Sequence, residues 1–250
     1  MQAYLTLTGR ELASYFVSWT GYVIIAVASF LMGLSFAVLL VQLRMTASPM
    51  PVTELFYSTA YFWLILLLAA PAITMRLFAL EKFSGTYETL MTTAVSDAQV
   101  VLAKFTAALL FYAVMWLPLL ACIFVLRHYT NDPSALDPGA LGSTVLGILL
   151  LGCLFTSLGC WASAITSSQI VAAMISFAGS FSLFLLSFLA DQFEVNAGWQ
   201  AQAFSYISMF DHLRDFARGV VDTRPVVFYL RLTFLFLFLT LRTVESRRWK

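Results

Sequence analysis

The amino-acid sequence predicts an all-α protein that crosses a membrane six times. Of its 250 residues, 61% are hydrophobic and 11% are charged, whereas soluble domains carry about 25% charged residues. Several nearly charge-free runs reach the roughly 20 residues that a helix needs to cross a hydrocarbon core of about 30 Å. These runs are apolar on all sides and lack the alternation of a transmembrane β-barrel, so helices are the expected spanning elements.

Six runs are expected to span the membrane, at residues 21–41, 56–75, 105–126, 141–165, 170–190 and 225–241. The first run is expected to stay in the mature chain, because no small-residue cleavage pattern follows it. The sixth run contains Arg231, whose long side chain is expected to reach the nearby membrane surface. Residues 1–250 are therefore interpreted as a single transmembrane domain.

Basic residues predict the orientation of the spans. The C-terminal tail contains Arg242, Arg247, Arg248 and Lys250, and clusters of this kind are retained on the cytoplasmic side of a membrane. An even number of spans then places the N-terminus on the same side. We expect a multi-pass protein with both termini in the cytoplasm.

A polar stretch, residues 81–105, separates the second and third predicted spans. Within it Tyr87, Leu90, Met91 and Ala94 follow the i, i+3, i+4, i+7 spacing of an amphipathic helix. Such a helix can rest on lipid head groups, although its few basic residues argue against lipid docking as its main role.

Local signals bound this short helix on both sides. Gly85 precedes it, and Glu88 lies in its first turn, where a carboxylate meets the positive end of the helix dipole. Ser96 and Gln99 form a capping-box pattern, so the third span is expected to begin near Asp97.

A longer pattern runs through and beyond this stretch, formed by Glu81, Lys82, Ser84, Gly85, Thr86, Glu88, Leu90, Val95, Ser96, Val100, Val101 and Lys104. It resembles the signature of ABC-2-type transporter permeases and is nearest to their gliding-motility and nitrous-oxide-maturation groups. The segments RELASYFVSWTGYV, PAITMRLFALEK, FDHLRDFARGVVD and LRTVESRRW extend the resemblance over almost the whole chain.

The resemblance implies a six-helix permease of the type V exporter kind, whose coupling segment, residues 81–99, docks in a cleft of a separate ATPase subunit. The coupling residues that it implies are Glu81, Lys82, Ser84, Gly85, Thr86, Tyr87, Glu88, Leu90 and Met91. Leu80 and Phe83 stand where family members frequently carry an acid and a base, so the electrostatic part of docking is expected to be weaker.

The resemblance also implies an assembly in the bacterial inner membrane. Its expected partners are two ATPase copies that bind ATP and magnesium, a second permease that is either an identical copy or a related chain, membrane lipid and a periplasmic accessory protein, with no nucleic acid. The expected function is ATP-driven export or movement of a substrate. The alternative is an ATP-driven membrane anchor or mechanotransmission platform that acts on a periplasmic partner without transport.

No catalytic site, cofactor or metal is expected in this chain. The sequence lacks the nucleotide-binding pattern G-x-x-x-x-G-K-[ST], and it lacks H-E-x-x-H and G-x-S-x-G. His128 and His212 have no metal-ligand spacing, and Cys122, Cys153 and Cys160 lie in predicted spans, where small buried thiols are common. ATP hydrolysis is therefore assigned to the partner subunit.

The N-terminal segment, residues 1–20, is predicted to form an interfacial helix. One helical face carries Leu12, Tyr15, Phe16 and Trp19, with Arg10 and Glu11 near the helix start. A simple membrane anchor is one interpretation. The resemblance instead implies a connecting helix that also touches the ATPase, with Arg10, Glu11, Tyr15 and Phe16 as its site residues.

The outer segment, residues 191–224, is predicted to hold a second amphipathic helix. Its apolar stripe comprises Tyr206, Met209, Phe210, Leu213, Phe216, Ala217 and Val220, and its polar face comprises Asp211, His212, Arg214, Asp215 and Arg218. The resemblance implies an extracellular gate made by Phe210, Leu213, Phe216, Arg218 and Gly219, with Gly219 ending or bending the helix. A helix that only covers its neighbours is the alternative.

Small residues repeat every four positions in the fourth and fifth predicted spans. The two series are Gly152, Thr156, Cys160, Ala164 and Ala172, Ser176, Ser180. Such residues let membrane helices approach closely, and we expect them to pack within one chain.

Overall fold

The computed structural model describes residues 2–45, 54, 56–57, 59–87, 95–130, 138–192 and 206–248. Within these ranges every regular element is helical and no strand is present. The predicted all-α fold class is therefore confirmed.

Ten helices are described, and their bounds are α1 Gln2–Val17, α2 Trp19–Met45, α3 Ala60–Thr74, α4 Ala79–Ser84, α5 Asp97–Met115, α6 Leu117–Thr130, α7 Pro138–Ile165, α8 Gln169–Gln192, α9 Met209–Ala217 and α10 Thr223–Arg248. Six stretches of them are long and apolar enough to cross a membrane: Trp19–Val41, Ala60–Ser84, Asp97–Val125, Pro138–Ile165, Gln169–Ala190 and Thr223–Ser246. The six predicted spans are confirmed, and the chain is a multi-pass membrane protein.

The third span begins where the sequence predicts. The Ser96 hydroxyl accepts a hydrogen bond from the Gln99 N–H, and the Ser96 N–H donates to Gln99 Oε1, both over 3.4 Å. This reciprocal capping box satisfies two N–H groups that an uncapped helix start would leave unpaired. Trp116 interrupts the span between α5 and α6, two residues before Pro118, which has no N–H to donate.

Helix α7 lies at the centre of the bundle, and its glycines allow close approach by other helices. A side-chain carbon on Gly152 would overlap the ring of Tyr112, and one on Gly159 would overlap Thr74. The Tyr112 hydroxyl also donates to the Ile148 carbonyl at 3.2 Å. The glycines therefore position α3 and α5 against α7.

The small-residue series pack inside the chain, as predicted. Thr156, Cys160, Ala164, Ala172, Ser176 and Ser180 are all fully buried. Their burial within one chain agrees with intramolecular packing of the fourth and fifth spans.

Helix α1 is attached to the third span rather than lying free on a membrane surface. The Tyr4 hydroxyl donates to Thr106 Oγ1 at 3.0 Å, and the rings of Tyr15 and Phe111 stack with centroids 4.7 Å apart. The structure corrects two details of the prediction: α1 begins at Gln2, well before Arg10, and Trp19 lies on α2 with 87% of its surface exposed.

Helix α9 ends at the predicted glycine, and a serine caps its start. The Ser208 hydroxyl accepts from the Asp211 N–H at 3.2 Å, and Gly219 adopts a left-handed φ of +84° just after the helix, a conformation that favours glycine. The predicted polar face is wrong at His212, which is buried and lies 3.4 Å from the Tyr229 hydroxyl. It is buried because α10 packs over that side of α9.

Candidate functional site

Four segments meet at the end of the bundle from which α1 and α10 extend, and we call this end the terminal face. It comprises α1, the break between α3 and α4 together with α4, the start of α5 and the end of α7. These segments carry the coupling and interfacial residues that the sequence singles out, so the terminal face is the candidate functional site.

Lys104 holds three of the four segments together. Its side chain is 1% exposed, and its ammonium lies 2.8 Å from Glu81 Oε1 on α4 and 3.1 Å from Glu11 Oε1 on α1. The ammonium also lies 5.4 Å from the ring centre of Phe78, within the range of a cation–π contact. A cation this deeply buried is stable only with such compensation.

Arg10 joins the same cluster from its exposed edge. Its guanidinium lies 3.0 Å from Glu11 and 3.7 Å from Glu81. We call Arg10, Glu11, Glu81 and Lys104 the charge cluster. It brings together two predicted interfacial residues and one predicted coupling residue.

Lys82, a predicted coupling residue, also faces the bundle. Its ammonium donates to the Ala164 carbonyl at the end of α7 and lies 5.4 Å from the ring centre of Tyr87, which is itself buried. Glu81, Lys82 and Tyr87 therefore attach α4 and the residues after it to the bundle.

The tip of this segment is exposed. Ser84, Gly85 and Thr86 are exposed, and Phe83 exposes 79% of its surface. Gly85 ends α4 with a left-handed φ of +75°. The predicted coupling residues Glu88, Leu90 and Met91 lie outside the described residues.

The second span is broken between α3 and α4, and a side chain from α7 fills the break. Ser163 Oγ accepts hydrogen bonds from the N–H groups of Phe78 and Ala79, both at 3.0 Å, and its hydroxyl lies 3.3 Å from the Met75 carbonyl. Main-chain groups that a helix break leaves unpaired are thereby satisfied. No local sequence pattern marks Ser163 for this role.

Tyr15 pairs with the same break from the other side. Its hydroxyl donates to the Ile73 carbonyl at 2.9 Å. In a continuous helix that carbonyl would accept from the Leu77 N–H, but here the Leu77 N–H donates to the Thr74 carbonyl instead. Burial raises the pKa of Tyr15 well above its usual value, and Cys160 and Glu11 raise it further. The hydroxyl therefore remains protonated and can keep donating.

Phe16, another predicted interfacial residue, packs edge-on against Phe111.

A polar cavity of about 320 Å³ lies beside the charge cluster and is lined by Arg10, Glu11, Ser14, Tyr15, Arg76, Leu77, Leu80, Glu81 and Lys104. Glu81 Oε2 is buried and has no hydrogen-bond partner among the described residues. A cavity of this polarity and size is suited to water molecules that would satisfy it.

The opposite end of the bundle, which we call the far face, carries α9. Phe216 and Leu213 are 1% exposed and face Gly147 of α7, where a side-chain carbon would lie 3.0 Å from the Phe216 ring. Phe210 packs against Trp63 with ring centres 4.5 Å apart. These contacts within one chain favour the cover alternative, and the gate remains a prediction.

Charged groups fasten α9 to the connection between the first two spans. Arg218 donates from Nε and Nη2 to the two carboxylate oxygens of Glu54, each at 3.0 Å, and Arg214 lies 3.4 Å from the same carboxylate. Paired bonds from one guanidinium fix orientation as well as distance. Glu54 was not identified from the sequence, because only contacts across the fold show its role.

Among the described residues, no group of three or more His, Cys, Asp or Glu side chains is arranged to hold a metal ion. The chemistry of the terminal face is therefore that of a charged contact surface with an exposed tip.

Comparison with protein families gives a match over most of the chain. Residues 39–239 match a family model described as "ABC-2 family transporter protein". The range includes α4, Lys104 and α9, whereas α1 precedes it. No curated protein matches the chain.

Proposed function

The chain belongs to the ABC-2 family of transporter proteins, and on that premise we propose that it is the permease subunit whose terminal face receives motion from a separate ATPase. The observation that carries this proposal is the charge cluster, in which buried Lys104 pairs with α1 and α4 at once. It supports a coupling role because it joins the predicted docking segment to its neighbours.

The exposed tip is connected to three other helices, through which its movement can be transmitted. Phe83 is exposed at the end of α4, Glu81 connects α4 to α1 and α5 through the charge cluster, and Lys82 connects it to α7. Separating a buried ion pair costs several kcal/mol. A displacement of the tip therefore moves several segments together.

The proposed assembly has two copies of this chain and two ATPase subunits in a bacterial inner membrane. The terminal face and both termini are cytoplasmic, and Glu88, Leu90 and Met91 insert into the ATPase cleft. ATP and magnesium bind the ATPase subunits, and the transported substrate moves outward. The finer likeness to the gliding-motility and nitrous-oxide-maturation groups belongs to this proposal.

One observation favours the second function, mechanical action on a periplasmic partner without transport. Helix α9 packs on α7, and Arg218 forms two hydrogen bonds to Glu54. The far face is therefore held in place by contacts within the chain, as a surface that pushes on a partner would need to be. Transport is distinguished from mechanical action by substrate movement in sealed vesicles.

The test is co-purification of the tagged chain with the proteins encoded beside it. We expect an ATPase to co-elute and ATP turnover to depend on its presence. Phe83→Ala should weaken that association, and so should Leu90→Ala combined with Met91→Ala, because central apolar anchors contribute about 2 kcal/mol or more to an interface. Val220→Ala is the matched control, since Val220 is an exposed apolar residue at the far face.

Two results would reject the proposal. One is ATP hydrolysis by the purified chain alone, and the other is normal ATPase association and stimulation in both tip variants. Orientation is tested separately with Ser246→Cys on a cysteine-free background. Labelling of that cysteine from outside sealed cells would contradict the cytoplasmic terminal face.

A further inference from the structure

An apolar groove lies between the first and second spans. Its volume is about 200 Å³, and all nine lining residues are Val, Ile, Leu or Ala. Ala28, Ala69 and Ala72 contribute to the space, because their side chains are too short to fill the gap between the helices. No polar lining group is present to hold a chain of water molecules there.

The groove ends at a cluster of hydrogen-bond donors on the terminal face. Arg76 follows Ala72 by four residues, just past the end of α3, and Thr20 precedes Ile24 by one turn of α2. Ala72 and Ile24 line the groove. Arg76 Nη1 donates to Ser18 Oγ at 3.1 Å and to Thr20 Oγ1. The two hydroxyl oxygens lie 2.7 Å apart. The donor cluster therefore adjoins one end of the groove.

Arg76 differs from the other cations nearby in its pairing. Arg10 and Lys104 pair with Glu11 and Glu81, whereas no carboxylate among the described residues lies within ion-pair distance of Arg76. The adjoining polar cavity, lined by all five residues, thus has three cations and two carboxylates. The planar guanidinium fork matches the geometry of a phosphate.

We propose that Arg76, Ser18 and Thr20 bind the phosphate of an anionic phospholipid, one acyl chain of which occupies the groove. The donors lie where a span meets the membrane surface, which is the depth of a lipid phosphate. The groove runs from there into the hydrocarbon region and offers only apolar contacts. A lipid satisfies both parts at once, because phosphate and chain belong to one molecule. This inference does not depend on coupling to an ATPase.

The experiment is native mass spectrometry of the purified full chain. After delipidation, the chain is titrated with dioleoyl phosphatidylglycerol or with dioleoyl phosphatidylcholine in mixed micelles. We expect a preference for phosphatidylglycerol, because the site carries an excess positive charge. Arg76→Gln should reduce its binding roughly tenfold, as expected for loss of a charge-assisted hydrogen bond. Ala72→Leu should have a similar effect by filling the groove.

Two control variants make the comparison specific. Arg242→Gln removes an arginine that pairs with Glu245 at 3.0 Å, and Ala37→Leu enlarges an exposed residue on the first span beyond the groove. Both should bind phosphatidylglycerol like the unchanged chain. Equal loss in Arg242→Gln and Arg76→Gln would overturn the site, and so would unchanged binding in Arg76→Gln.

Chain length supplies a test that needs no substitution. The unchanged protein should bind dioleoyl phosphatidylglycerol more tightly than the dihexanoyl form, because a longer chain makes more apolar contacts with the groove and with the spans beside it. Equal binding of the two lipids would overturn the groove assignment. Displacement of the lipid by millimolar inorganic phosphate, with Ala72→Leu unaffected, would identify a free-phosphate site and reject the lipid.

Discussion

Replacing Lys104 by methionine tests whether the charge cluster holds the terminal face together. The Lys104 ammonium lies 2.8 Å from Glu81 and 3.1 Å from Glu11. Methionine retains most of the apolar stem and removes the charge. The two carboxylates then remain close together and keep only the exposed guanidinium of Arg10 within ion-pair distance of both among the described residues.

The expected loss of stability follows from burial. Removing one partner of a buried ion pair costs about 3–5 kcal/mol. Glu11 and Glu81 are 12% and 16% exposed and line the polar cavity, so water relieves part of the cost and the lower figure, about 3 kcal/mol, applies. At about 2–4 °C per kcal/mol for a chain of this size, the unfolding midpoint should fall by about 6–12 °C.

The assay is thermal unfolding of the chain in lipid nanodiscs, followed by intrinsic fluorescence. Lys104→Met combined with Glu11→Gln and Glu81→Gln should recover much of the loss, because no buried carboxylate is then left without a cation, and Arg10, which loses both partners, is exposed to water. Arg242→Gln is the matched control, since its exposed pair contributes only about 0–1 kcal/mol. The reasoning is refuted if Lys104→Met melts like Arg242→Gln, or if the triple variant is no more stable than Lys104→Met.

Three other predictions concern packing and pH. Gly152→Ala should lower the free energy of unfolding by about 1–3 kcal/mol, because the added carbon overlaps Tyr112. The control Gly33→Ala, whose added carbon meets nothing within 4 Å, should be neutral or slightly stabilising. Equal thermal unfolding midpoints for the two variants would contradict the close approach of α5 to α7. Burial lowers the pKa of His212, against opposing effects of neighbouring carboxylates, so the unfolded chain binds more protons and stability should be lost as pH falls below about 6.5. His212→Gln should flatten that part of a melting-midpoint profile, and an unchanged slope would reject the assignment. Phe216→Ala should reduce the yield of folded complex, because a buried Phe→Ala change costs about 3–5 kcal/mol; normal yield with faster ATP turnover would instead support the gate.

The sequence could predict the spans because hydrophobic length is a local property. The capping box at Ser96 and the end of α9 at Gly219 were predictable for the same reason, since each depends on a few neighbouring residues. Even the sixth span, which contains Arg231, is long and apolar enough to be identified.

Contacts between distant segments could not be predicted in this way. Lys104 was part of the recognised pattern, but its partner Glu11 lies 93 positions earlier, and charge alone does not select among possible partners. The apolar stripe of α9 indicated a face that would be buried, although it could not identify Trp63 as the ring that covers Phe210. Which charged groups and which rings meet is decided by how the helices pack.

The break between α3 and α4 has no glycine or proline at residues 75–78, so local composition gave no signal for it. Pro71 lies within α3 and stays helical. The break persists because Ser163 and Tyr15 provide hydrogen-bond partners from other helices. Such a break depends on neighbouring helices and has no signature within the helix itself.

That break gives the second span two mechanical parts. A continuous helix transmits a push along its own axis, because every turn is bonded to the next. Here the N–H groups of Phe78 and Ala79 bond sideways to Ser163 on α7. A load applied to the short terminal part, α4, would therefore pass into α7 at its base as well as into α3.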